Sequence, residues 1–113
     1  MANNDRTKAN ALADERVKSV IVTGASGGIG RVVAKRLASD GFAIIVNYAG
    51  NPAKADEVVA ELKATGAHAI AVQADVANAA DVGRLFTQAL EVFGSLDVVV
   101  HCAGGGLSLT VEV

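Results

Sequence analysis

The sequence predicts an α/β fold: a doubly wound parallel sheet covered by helices on both faces. Three observations lead there. Short runs such as Val20-Ile21-Val22 and Val98-Val99-Val100 are apolar throughout, the pattern of strands buried on both faces. Stretches with apolar residues at helical spacing alternate with those runs. Glycines at 41, 66 and 94 stand where each helical stretch ends. Right-handed crossovers between such units build a parallel sheet.

The elements follow in order. Residues 1–18 are polar and mixed in charge and read as an N-terminal tail outside the fold. Residues 19–23 form the first strand, ending at Gly24. A helix over about 29–39 follows, with Ile29, Val33 and Leu37 every four residues and Val32 beside them as its expected buried face. Residues 42–47 make the second strand. Asn51 caps the next helix and Pro52 takes its first position, with Val58, Val59 and Leu62 inward. Residues 68–73 are the third strand. Asn78 caps a third helix, whose apolar stripe is Val82, Leu85, Phe86, Ala89, Leu90 and Phe93. Residues 96–101 are the fourth strand.

Bulk properties exclude several classes. At 113 residues, 51% hydrophobic and 19% charged, the chain reads as one globular domain. A net charge of -2 gives no basic footprint for nucleic acid or an anionic membrane. No apolar run approaches the roughly 18 residues of a membrane span. The lone cysteine, Cys102, fits a reducing compartment, and residues 1–18 lack the apolar stretch of a secretory signal. A cytoplasmic protein is expected.

The chemistry concentrates between the first strand and first helix, in Thr23-Gly24-Ala25-Ser26-Gly27-Gly28-Ile29-Gly30. Backbone N–H groups at a helix start carry partial positive charge and can hold a pyrophosphate if no side chain intervenes. Gly24 permits the tight turn, Gly28 lets backbone approach phosphate, and Gly30 lets the helix pack close to the sheet. The spacing is G-x-x-x-G-x-G, and Gly28 is followed by Ile29 rather than the Lys of a Walker A loop. A flexible turn without function is the plainer alternative, and the strand before and helix after it argue against that.

This motif resembles the signature of the short-chain dehydrogenase/reductase family, a Rossmann-like fold, over about residues 19–104. The resemblance implies an oxidoreductase that passes a hydride between a nicotinamide dinucleotide and an alcohol or ketone. Three further segments carry it, each at the carboxyl end of a strand. After the second strand, Asn47-Tyr48-Ala49 has no acid to select the adenosine 2′-hydroxyl and resembles NADP-dependent carbonyl and 3-ketoacyl reductase-like members, so NADP(H) is favoured over NAD(H). After the third, Asp75 matches the family's adenine-binding Asp, with Val76 supplying a backbone N–H; the plainer role for Asp75 is to cap the following turn. After the fourth, His101-Cys102-Ala103-Gly104 resembles the family's Asn-Asn-Ala-Gly, with Ala103 and Gly104 matching beside the cofactor's ribose. Cys102 is expected to be a small core residue, and His68 to be structural or solvated. The cofactor-binding set is thus Gly24, Ser26, Gly27, Gly28, Ile29, Gly30, Asn47, Tyr48, Ala49, Asp75, Val76, Ala103 and Gly104.

No catalytic or metal-binding residue is assigned. The family's proton donor is the Tyr of Tyr-x-x-x-Lys, assisted by an upstream Ser; the only tyrosine here, Tyr48, has no Lys at that spacing. The sequence therefore predicts a fold truncated after the fourth strand, inactive by itself, with residues 105–113 as an atypical tail. It also predicts an unpaired apolar edge on the fourth strand, through which copies self-associate. The alternative is a non-catalytic dinucleotide-binding or partner-binding module. A methyltransferase of related fold is disfavoured by the glycine spacing and the missing acid after the second strand.

Overall fold

The computed structural model describes residues 17–102 and the strand Ser108–Val111. The elements run β1 (Ser19–Thr23), α1 (Gly28–Ser39), β2 (Ala43–Tyr48), α2 (Pro52–Ala64), β3 (Ala69–Gln73), α3 (Ala79–Phe93), β4 (Val98–His101) and β5 (Ser108–Val111). They form one sheet in the order β3-β2-β1-β4-β5. β1 pairs in parallel with β2 and β4, and β2 in parallel with β3.

The continuous apolar strands lie at the centre, as their composition requires. All of β1 is buried, as is β2 from Ala43 to Asn47. Successive residues serve opposite faces. Val20, Val22, Ile44 and Val46 meet α1 and α2 through Ala34, Ala38, Ala55, Val58 and Leu62. Ile21 and Ile45 meet Leu85 and Ala89 of α3. Full burial of each such aliphatic side chain contributes about 1.5–3 kcal/mol.

The helix caps match the sequence. Asn51 accepts a hydrogen bond from the Lys54 N–H, with Pro52 next to it, and Asn78 accepts one from the Asp81 N–H. Gly41, Gly66 and Gly94 all adopt positive φ. On α2 the inward residues are Ala55, Val58 and Leu62, with Val59 half-buried. On α3 Leu85 and Ala89 are buried, Phe86 and Phe93 pack beside them, and Leu90 is exposed.

The α1 face differs from expectation by one position. Its buried residues are Gly30, Ala34 and Ala38, while Ile29 and Val32 are 63% and 66% exposed. The helix lies so close to the sheet that only small residues fit beneath it, and Val33 and Leu37 pack along its margin. Residue size, rather than hydropathy, set this face.

The edge of β4 is also not open. β5 pairs with it antiparallel, from Val98↔Val111 to His101↔Ser108. Unpaired strand groups in an apolar setting are costly, and an antiparallel partner needs only a short return where a parallel one needs a crossover. The alternating Ser-Leu-Thr-Val composition of β5 is a strand signal. Self-association through an unpaired β4 edge therefore loses its basis.

Between α1 and α2, Arg31 bonds Glu61, and Lys35 Nζ lies 3.2 Å from the same carboxylate. Hydrogen bonding from Arg31, then from Lys35, holds the Glu61 carboxyl below its ordinary value of 4.5. A depressed carboxylate stabilises the fold above its unfolded-state pKa, and that contribution is lost as pH falls through the folded-state value. Glu61→Gln is expected to flatten this acid limb in thermal melts taken from about pH 3 to about pH 7. The change at neutral pH is expected to be small, as for other solvent-accessible pairs. An unaltered acid limb would show that the pair does not link stability to pH.

Candidate cofactor-binding site at the carboxyl ends of the strands

The β1–α1 turn is shaped by backbone conformation. Gly24 (φ 63°) and Gly28 (φ 57°) both lie in the left-handed region that favours glycine. A Cβ on Gly30 would stand 2.8 Å from the Gly24 carbonyl carbon and closer still to its oxygen. Helix and turn thus touch backbone to backbone. Among the described residues a Cβ on Gly28 would meet nothing within 4 Å.

The helix start is uncapped. Gly27 is the N-cap residue and supplies no side-chain cap, and no acid lies in the first turn of the helix. The first intrahelical bond runs from Arg31 N–H to Gly27 O at 3.3 Å. The amides of Gly28, Ile29 and Gly30 precede it and lie at the positive end of the helix dipole. Gly27, Gly28 and Ile29 are exposed and Ser26 is half-buried, so this edge is accessible. An uncapped helix start lined by glycine fits a phosphate group.

The other predicted residues gather at the same edge, with one difference. Asn47 is only 2% exposed. Its Oδ1 accepts the Gly24 N–H at 3.3 Å, and its Nδ2 donates to Val72 O at 3.3 Å and Ala74 O at 3.2 Å. Its side chain supports the turn from beneath, and the accessible rim at the end of β2 is half-buried Tyr48 followed by exposed Ala49. Sequence reasoning missed this supporting role; the signal was a polar residue closing a run of buried aliphatic ones.

Asp75 is exposed and Val76 half-buried. Asp75 Oδ1 accepts the Ala77 N–H at 2.9 Å, so the turn-capping role is present. The Asp75 N–H in turn donates to Asp81 Oδ2 at 2.9 Å. Across β1 and β4, Thr23 Oγ1 accepts the Cys102 N–H at 2.9 Å and pairs with His101 Nδ1 at 3.0 Å. Burial pushes the Cys102 thiol pKa up, which disfavours the thiolate a nucleophile requires. Ala103 and Gly104 lie outside the described residues.

A cavity of about 730 Å³ opens at the other end of the sheet, lined by Lys63, His68, Ile70 and Phe93 among others. It adjoins the amino ends of β2 and β3, whereas open α/β sheets bind ligands at the carboxyl ends. Among the described residues there is no group of three His, Cys, Asp or Glu that could hold a metal ion. Nor is any described helix long and apolar enough to cross a membrane.

The sheet order and the glycine turn define a dinucleotide-fold protein of the dehydrogenase type. A family model described as short chain dehydrogenase matches residues 18–112, and the chain belongs to that family. It is 51% identical over 87 residues to the 3-oxoacyl-(acyl-carrier-protein) reductase FabG of Staphylococcus aureus, covering 77% of this chain and 35% of that protein. It is 52% identical over 87 residues to an uncharacterized oxidoreductase of Methylorubrum extorquens, with the same coverage. Among solved structures, a dehydrogenase/reductase from Sinorhizobium meliloti superposes with a TM-score of 0.76 at 37% identity, over 79% of this chain and 35% of that one. A short chain dehydrogenase from Mycobacterium avium gives 0.70 at 38% identity, over 74% and 33%. The chain thus spans about a third of the length of these relatives.

Proposed function

We propose that residues 19–104 bind a nicotinamide dinucleotide, NADP(H) in preference to NAD(H), as the cofactor-holding part of a cytoplasmic oxidoreductase. The observation that carries this is the uncapped, glycine-lined start of α1 at the carboxyl edge of the sheet. The amides of Gly28, Ile29 and Gly30 would hold the pyrophosphate. Asp75 and Val76 would hold the adenine, and Ala103 and Gly104 would leave room beside the ribose. Neither Tyr48 nor Ala49 on the rim after β2 is acidic, so no carboxylate there opposes a 2′-phosphate.

When bound, the dinucleotide supplies hydride transfer at its nicotinamide ring. Cofactor binding is proposed for these residues, and reduction of a ketone for a protein that carries them together with a proton donor. The FabG similarity suggests 3-oxoacyl thioesters as the substrate class.

Titration of the chain with NADPH and with NADH, followed by nucleotide fluorescence, tests this reading. NADPH is expected to bind more tightly. Tyr48→Asp is expected to reverse that order by placing a carboxylate on the rim. An absence of binding by either nucleotide would refute the proposal, and an unchanged preference in Tyr48→Asp would refute the rim assignment.

A further inference from the structure

We propose that Asn47 is a positioning residue whose side-chain amide clamps the phosphate-binding turn to the end of β3, and that a carboxylate cannot replace it. The inference rests on the dinucleotide reading above and adds a residue that acts through others.

Asn47 joins three strand ends. Toward the turn, its Oδ1 accepts from Gly24 N–H at 3.3 Å, and its backbone oxygen accepts from Ala25 N–H at 3.0 Å. Toward β3, its Nδ2 donates to Val72 O and Ala74 O at 3.3 and 3.2 Å. Both partners matter for the ligand. Gly24 is the residue against which Gly30 packs, and so sets where the first turn of α1 begins. Ala74 immediately precedes Asp75, on the proposed adenine side. A shift of the Asn47 amide would displace the pyrophosphate and adenine positions relative to each other.

The chemistry requires an amide. Its NH₂ supplies two donors and its oxygen an acceptor on one planar group. A carboxylate at this position would keep the acceptor for Gly24 but direct lone pairs at the Val72 and Ala74 carbonyls. Burial and those carbonyls would raise its pKa, and protonation would restore one donor. An acid installed to select a free ribose hydroxyl would therefore have to stand at Tyr48, not at Asn47.

The test is NADPH and NADH titration of the wild-type chain, Asn47→Asp and Asn47→Ala, each with a thermal melt to establish folding at the assay temperature. Asn47→Asp is expected to weaken both nucleotides at least about tenfold at neutral pH, with recovery as pH falls toward about 5. Asn47→Ala is expected to weaken both without recovery. In the wild-type chain, NADPH is expected to shift the NMR signals of the Asn47 side-chain amide and the Gly24 N–H. Wild-type protein that binds neither nucleotide would overturn the cofactor reading and the clamp with it. Folded variants that bind like wild type, or a gain of NADH affinity in Asn47→Asp, would overturn the clamp alone. If the variants do not fold, unmoved Asn47 and Gly24 signals at saturating NADPH would overturn it.

Discussion

Gly30→Ala is expected to abolish dinucleotide binding and to lower the unfolding free energy by about 2–3 kcal/mol. The added methyl would meet the Gly24 carbonyl group, which is backbone and cannot rotate aside. Relief requires α1 to lift from the sheet or the turn to open. Lifting α1 loosens the contacts of Ala34 and Ala38 with the strands, and opening the turn misplaces the first-turn amides. Denaturant unfolding and NADPH titration of the same preparation measure both effects. A variant with wild-type stability would show that helix and turn do not depend on this contact.

Gly28→Val is expected to separate the two effects. Gly28 has φ 57°, where a β-branched residue is strained, but its Cβ would meet nothing within 4 Å among the described residues. The fold should lose about 1–2 kcal/mol from backbone strain. Binding should fall at least about 100-fold, because the isopropyl group would occupy the phosphate's approach and a charge-assisted contact would be lost. Gly28→Ala should give a smaller binding loss with much of the same strain. If Gly28→Val bound NADPH as tightly as wild type, the phosphate would lie elsewhere.

Much of this was legible in the sequence, for identifiable reasons. Strands buried on both faces carry unbroken aliphatic runs, so Val20-Ile21-Val22 of β1 and Ile44-Ile45-Val46 of β2 stood out from their neighbours. Caps and glycine stops are local chemistry, so Asn51, Asn78, Gly66 and Gly94 could be read without tertiary information. The buried face of α1 was legible only at Gly30, because the depth of helix packing against the sheet decides that Ala34 and Ala38, rather than Val33 and Leu37, lie beneath the helix. β5 was hidden because four residues, Ser108 to Val111, are a short strand signal next to a glycine run, and only the antiparallel return onto β4 gives them a partner. In the candidate site, the glycine turn was evident from spacing. The task of Asn47 was not, since its polar partners come from β1 and β3 and only the assembled sheet brings them together.

The strand order also has a consequence for assembly during synthesis. β1 emerges first, yet it lies between β2 and β4. Its pairing with β2 requires only residues up to Val46, whereas its other side waits for Val98 to His101. Until then a strand with the aliphatic centre Val20-Ile21-Val22 has one partner and an open flank. Closure is then secured at both ends: Ser19 N–H bonds Asp97 Oδ2 at 2.9 Å, and Cys102 N–H bonds Thr23 Oγ1 at 2.9 Å. The same late closure brings His101 and Cys102 alongside Thr23, next to the glycine turn. A nascent chain can therefore shape the phosphate turn early, but completes the edge that surrounds it only when β4 arrives.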